Sequence, residues 1–226
     1  MRYLPSVVIT GLLLAAGTSA VAAPTAPQAR AEVPSGSTSC DFDAWTSFRA
    51  NAPVDIRAQP DAAAKILGSL PVSTNPNEEV GSVEFVVVEA RPGWLRINQA
   101  TDPGGEDEKG TPLPPRDVYQ GTGWIPDNAA QIGIQSALGY ARPDAGSPII
   151  LDLDDDWLTD MGDLQAIRAC SGPWLLLDYH LRRERRPSGA LIDIPDTESR
   201  TGTAWFRGIC ANQYTTCDMK SVDQRK

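Results

Sequence analysis

Pro92-Gly93-Trp94-Leu95-Arg96-Ile97, followed after a long polar insert by Gly121-Thr122-Gly123-Trp124-Ile125, is the stretch that decides the fold. It occurs again as Gly172-Pro173-Trp174-Leu175-Leu176-Leu177 and, after a second insert, Gly202-Thr203-Ala204-Trp205-Phe206. Each Trp meets its counterpart about 80 residues later. Recurrence at a fixed period is the signature of a structural unit used more than once.

The flanks of the first copy read as strands. Val83 to Ala90 is β-branched, aromatic and bounded by Gly81 and Pro92-Gly93, the strongest β signal in the chain. Pro53 to Pro60 alternates toward a turn at Pro60-Asp61, and Lys65 to Pro71 forms a second short strand. The insert from Gln99 to Gln120 is rich in Pro, Gly, Asp and Glu and reads as a long mobile hairpin loop. The second copy keeps this order: Leu138 to Asp144 stands for Ile56 to Asp61, Ser147 to Leu151 for Ile66-Leu67, and Asp163 to Cys170 for Val83 to Ala90. Its insert, Leu181 to Arg200, falls at the same point. Short strands, Gly/Pro turns and scant helical periodicity predict an all-β chain.

The ends set the compartment. Arg2 precedes the apolar run Val7 to Ala16, and Ala20-Val21-Ala22 offers a small-residue cleavage site, so residues 1–22 read as a secretory signal peptide. Residues 23–39 have few large apolar side chains and are expected to be a flexible tail; residues 219–226 form a C-terminal tail. A periplasmic or secreted location follows. The formal net charge of −9 opposes nucleic acid or an anionic membrane as main partner. Cys40, Cys170, Cys210 and Cys217 fit two disulfides in an oxidising compartment, and spacing alone leaves three pairings open.

In fixed order and twice over, Arg-Ala-x-Pro-Asp, a strong apolar strand, Gly-Trp and Thr-Gly-Trp-Ile resemble the bacterial Src homology 3 type domain. The second copy departs from it with Thr-Ala-Trp-Phe, with Leu138-Gly139-Tyr140 and with a Pro between Gly172 and Trp174. The resemblance implies two tandem small five-stranded, partly open β-barrels, over 40–132 and 133–218. It also implies binding of peptides or peptidoglycan, with no cofactor. In the related fold the turn after the closing strand lies near the strand carrying Cys170. That implies pairing Cys170 with Cys210 and Cys40 with Cys217; the rival is Cys40 with Cys170 and a local Cys210 to Cys217 bridge.

Trp94, Trp124, Trp174 and Trp205 are expected to fill small cores. Trp45, Tyr140, Trp157 and Tyr214 lie outside the repeated stretch and are the candidates for exposed ligand contacts. Asp152 to Asp156 would suit calcium or a solvated acidic turn. The island Arg182-Arg183-Glu184-Arg185-Arg186 would engage an anion or sit solvated at a hairpin tip. The single His180 is the one base a cysteine hydrolase would have, and its charged surroundings favour a strand-end role. No zinc spacing, G-x-S-x-G or H-E-x-x-H is present. The reading is an exported, non-enzymatic protein that binds cell-wall peptide or glycan, or an envelope protein. The alternatives are an inhibitor module of an envelope enzyme and, more remotely, a Cys/His amidase.

Overall fold

The computed structural model describes residues 29–71, 82–106, 109–213 and 222–223. The signal-peptide stretch, Tyr214 and Cys217 lie outside the described residues. The first half carries β1 (Thr38–Thr46), β2 (Val54–Arg57), β3 (Ile66–Leu70), β4 (Glu84–Arg91), β5 (Trp94–Asp102), β6 (Gly105–Glu106), β7 (Pro112–Leu113), β8 (Arg116–Pro126) and β9 (Ala130–Gln131). The second carries β10 (Gly133–Ile134), β11 (Leu138–Tyr140), β12 (Ile149–Asp152), one helical turn α1 (Leu158–Met161), β13 (Gly162–Ser171), β14 (Trp174–Leu181), β15 (Arg183–Arg185), β16 (Leu191–Asp193), β17 (Arg200–Phe206) and β18 (Ile209–Cys210). The protein is all-β, with a sheet curled into a half-barrel.

Two main sheets carry the repeat. The larger has the order β3-β2-β8-β5-β4-β1-β9, and the smaller β12-β11-β17-β14-β13. Five strands thus follow the same order in both, and β1 and β9 extend the first sheet to seven. Register fixes residue equivalence. Trp124 on β8 lies between Arg57 and Arg96, as Trp205 on β17 lies between Tyr140 and Leu176.

That equivalence explains where the second copy departs from the first. A Cβ on Gly123 would lie 2.3 Å from Ile56 Cγ2, so a large residue on β2 demands glycine opposite it. In the second sheet Gly139 takes the place of Ile56, and Ala204 takes the place of Gly123; a Cβ on Gly139 would meet that of Ala204 at 2.8 Å. The side chain has moved from one strand to its neighbour, and Phe206, whose Cζ would lie 3.0 Å from a Cβ on Gly139, takes up part of the space Ile56 fills in the first sheet. The intruding Pro173 has a similar cause: Pro92-Gly93 puts the positive φ on the second turn residue and Gly172-Pro173 puts it on the first.

One continuous core runs between the two halves. Phe42, Ile56, Phe85, Val87, Leu95, Ile97 and Ile125 from the first meet Ile167, Leu175, Leu177 and Phe206 from the second in a single buried cluster. Strand β1 seals it, pairing with β4 on one side and β9 on the other. Across the junction Arg168 binds Asp127 at 2.7 Å and Asp178, and Ile167 N donates to Asp127 O. Burial pushes the Asp127 carboxyl up in spite of the guanidinium beside it.

Three expectations are corrected. The disulfide joins Cys40 on β1 to Cys170 on β13, not Cys170 to Cys210, because β1 crosses the junction and brings their Cα atoms to 5.4 Å. Cys210 is also disulfide-bonded. The first insert is no loose loop: β5 and β8 continue to pair through it as far as Asp102 and Arg116, which form a salt bridge of 2.8 Å. The second insert likewise forms the β15–β16 hairpin. Finally, the stretch assigned to a free tail is held from Ala31 onward, and Thr38 already belongs to β1.

The Cys40–Cys170 bond closes a loop with a sequence separation of 130. Replacing both with Ser is expected to remove about 4–5 kcal/mol of stability, read as a lower urea midpoint with a steeper slope, because the unlinked unfolded chain exposes more surface. A loss below about 1 kcal/mol, within the range of surface changes and single weak contacts, would mean that packing alone holds β1.

Candidate functional site

Strand alternation gives each sheet a core face and an outer face, and the two outer faces differ in chemistry. On the second sheet the equivalent row reads Tyr140, Trp205, Leu176, Ala169 across β11, β17, β14 and β13. With Leu138 and Trp174 these residues form a second buried cluster. The run Trp174-Leu175-Leu176-Leu177 is apolar without alternation, the mark of a strand covered on both faces.

The cover is the chain's own N-terminal segment. Ala31 packs on the cluster. Trp205 Nε1 donates to Glu32 O at 2.9 Å, Glu32 N donates to Ala141 O at 2.8 Å, and Arg142 pairs with the Glu32 carboxylate at 3.3 Å. Asp223 closes the other side: it accepts from Tyr140 Oη at 3.0 Å and from Ser136 Oγ at 2.6 Å, and it pairs with Arg207. Arg207 in turn stacks over Trp174, 5.2 Å from the ring centroid.

On the first sheet the matching row reads Arg57, Trp124, Arg96, Glu89. No described segment roofs it. Trp124 and Trp94 are half-buried, and the Trp124 indole N–H has no protein acceptor among the described residues. Arg57 is held by Asp55 at 2.7 Å and by Ala64 O at 2.9 Å. Among the described residues Arg96 has one ion-pair partner, Glu89 at 3.5 Å, and its side chain is 42% exposed. Beyond Arg57 the row opens into a cleft of about 350 Å³, lined by Arg49, Pro53, Asp55, Asn128 and Gln165 among others. A flat aromatic face, a free indole donor and an accessible guanidinium suit stacking and carboxylate capture.

The residues singled out from sequence fare differently. Trp45 and Tyr140 are 5% and 3% exposed and so are not exposed contacts. Trp45 packs beside Phe48, and Tyr140 lies edge-on to Trp174 under the N-terminal segment. Trp157 is half-buried at the start of α1. Conversely, Trp174 and Trp205 are buried as expected for the repeated Trp residues, whereas Trp94 and Trp124 are not. Leu95-Arg96-Ile97 held the signal: its polar middle residue marks an open face where Leu175-Leu176-Leu177 marks a closed one.

The acidic stretch and the arginine island meet each other. Arg185 grips the buried Asp156 carboxylate through two nitrogens, with Nε at 2.7 Å. Arg182 pairs with Asp163 at 2.7 Å, and Arg183 with Asp193 at 3.1 Å. Among the described residues no His, Cys, Asp and Glu group is placed to hold a metal. His180 is half-buried on β14 opposite Asp163 and Thr201, and Cys40, Cys170 and Cys210 offer it no free thiol.

Comparison of the chain with protein-family models, with curated proteins and with solved structures finds no match. Among the described residues no helix is long and apolar enough to cross a membrane.

Burial, together with the hydrogen bond to Asp223, pushes the Tyr140 hydroxyl up to about 12. A folded-state value above the unfolded one contributes stability that is complete below the ordinary tyrosine range and is lost as pH rises through it toward 12. Chemical unfolding measured across that window is expected to show this loss in the native chain, and Tyr140→Phe should reduce it. An equal loss in both would place the effect elsewhere. At the island, Arg185→Ala strands the buried Asp156 and is expected to lower the melting temperature. Adding Asp156→Asn should recover part of the drop, and additive losses would show that the two are not coupled.

Proposed function

We propose that this is an exported, non-enzymatic binding protein of two tandem five-stranded units of bacterial Src homology 3 type, which recognises peptidoglycan or its peptides in the periplasm or outside the cell. The observation that carries the reading is the open row on the first sheet. Its counterpart in the second sheet is apolar and roofed, as burial demands. The first row instead leaves Trp124 and Trp94 accessible, with Arg96 available between the strands. Half-exposed Trp beside Arg is the composition of an interface anchor. The shared strand order of the two sheets supports the tandem reading, and the acidic chain as a whole disfavours nucleic acid and an anionic membrane as partners.

Co-sedimentation of the chain from Ala23 onward with purified peptidoglycan sacculi tests it. Saturable pelleting is expected, weakened about tenfold by Trp124→Ala if Trp124 anchors the ligand. Absence of pelleting by the native chain would remove the cell wall as ligand.

A further inference from the structure

The roofed row shows how this kind of sheet holds an extended chain. Four contacts seat the N-terminal segment: the indole N–H of Trp205 to Glu32 O, the Ala141 carbonyl from Glu32 N, Arg142 on the Glu32 carboxylate, and Ala31 on the cluster face. Two of these are main-chain contacts that any sequence could make. The first sheet repeats the docking atoms. Trp124 stands where Trp205 does, with its N–H unused among the described residues. Ala58 stands where Ala141 does: Ala58 N donates to Lys65 O as Ala141 N donates to Pro148 O, each at 2.9 Å. Ala141 is buried beneath its segment, whereas Ala58 is exposed and its carbonyl accepts from no described residue.

The side chains around these atoms are what differ. Tyr140 and Leu176, apolar neighbours of Trp205, are replaced by Arg57 and Arg96 around Trp124. Arg57 is committed to Asp55 and Ala64 O, so Arg96 is the group with donors to spare. We infer that the outer face of β2, β8 and β5 is a docking site for an extended peptide carrying a carboxylate side chain. The peptide lies along the row as residues 31–32 lie on the second sheet. Its backbone carbonyl accepts from Trp124 Nε1, its amide donates to Ala58 O, and its carboxylate pairs with Arg96 where the internal segment presents Ala31. This rests on the cell-wall reading for the source of the peptide, and assigns recognition to the peptide portion of the wall rather than to its glycan.

The probe is a blocked synthetic peptide of residues 29–36 with Ala31→Glu, titrated into nitrogen-15-labelled protein while the tryptophan indole signals are followed. Trp124→Phe identifies its signal. A saturable shift confined to the Trp124 indole is expected, with affinity about tenfold lower for the Ala31→Lys peptide or for the Arg96→Glu protein. A Trp124 indole unmoved at millimolar peptide, a shift at Trp205 instead, or equal affinity for the Glu and Lys peptides would overturn the inference. The two readings fail separately. Peptide binding without sacculus pelleting removes the wall and leaves the site. Pelleting that Trp124→Ala abolishes, without peptide binding, keeps the wall and removes the acidic peptide.

Discussion

The seating of β1 across both halves of the chain is the constraint on which the rest of the structure depends. Phe42 and Ala44 of this strand enter the common core, its backbone pairs with β4 and β9, and Cys40 bonds to Cys170 of the second half. Without it the core would open along β4 and β13, the line where the two halves meet. A unit of this size has too little interior to be strongly stable by itself. Sharing one cluster, and tying its ends with a covalent bond of long sequence separation, supplies what each half lacks. The Arg168 bridge between Asp127 and Asp178 then fixes the angle of the junction by charge-assisted hydrogen bonds.

Once the core is sealed, the outer faces are free to diverge, and one row shows how. Tyr140, Trp205 and Leu176 would be a solvent-exposed apolar patch if nothing covered them. Covering them requires a segment that satisfies the buried indole N–H, and Glu32 O does so. Arg57, Trp124 and Arg96 need no roof, because their polar ends reach water while the aromatic ring and aliphatic stems lie along the sheet. The same topology therefore yields a structural surface in one half and an accessible one in the other. The difference is two side chains on either side of a Trp.

Much of the fold was legible in the sequence. The repeated Trp residues, the Val83 to Ala90 strand and the alternating approach to Pro60 mark strands, the order of the repeat carries the reading to the stretch before Pro143, and the structure has strands there. What periodicity cannot carry is the tertiary partner. Trp45 and Tyr140 lie outside the repeated stretch and so read as exposed contacts; Tyr140 is buried because the N-terminal segment and Asp223 cover it, and Trp45 is buried beside Phe48. The stretch before Ser39 has few large side chains and so reads as free, yet two backbone hydrogen-bonding groups, the Glu32 carboxylate and one alanine dock it. The disulfide was misplaced for a related reason, since nothing local to Cys40 reveals that β1 crosses to the second half. The contrast between Arg96 and Leu176 was visible all along. It acquires meaning only when register sets the two positions side by side.

Charge in this protein works at short range. Most arginines of the described residues lie against a carboxylate, from Arg57 with Asp55 to Arg185 with Asp156 and Arg207 with Asp223. The island and the acidic stretch, each suggestive of a ligand when read alone, meet through Arg185 and Asp156, while Arg182 and Arg183 pair with Asp163 and Asp193. The surplus of nine negative charges therefore remains as a diffuse field that repels polyanions only within a Debye length, about 8 Å at physiological salt. A ligand bearing one carboxylate is repelled only weakly by that field and meets Arg96 inside the screening distance, where a charge-assisted hydrogen bond outweighs it. A polymer of repeated charge meets the field along its whole length and has few free guanidinium groups to bind. The distribution of ion pairs, more than the net charge, thus favours the proposed ligand, an extended chain with a carboxylate, over a polyanion.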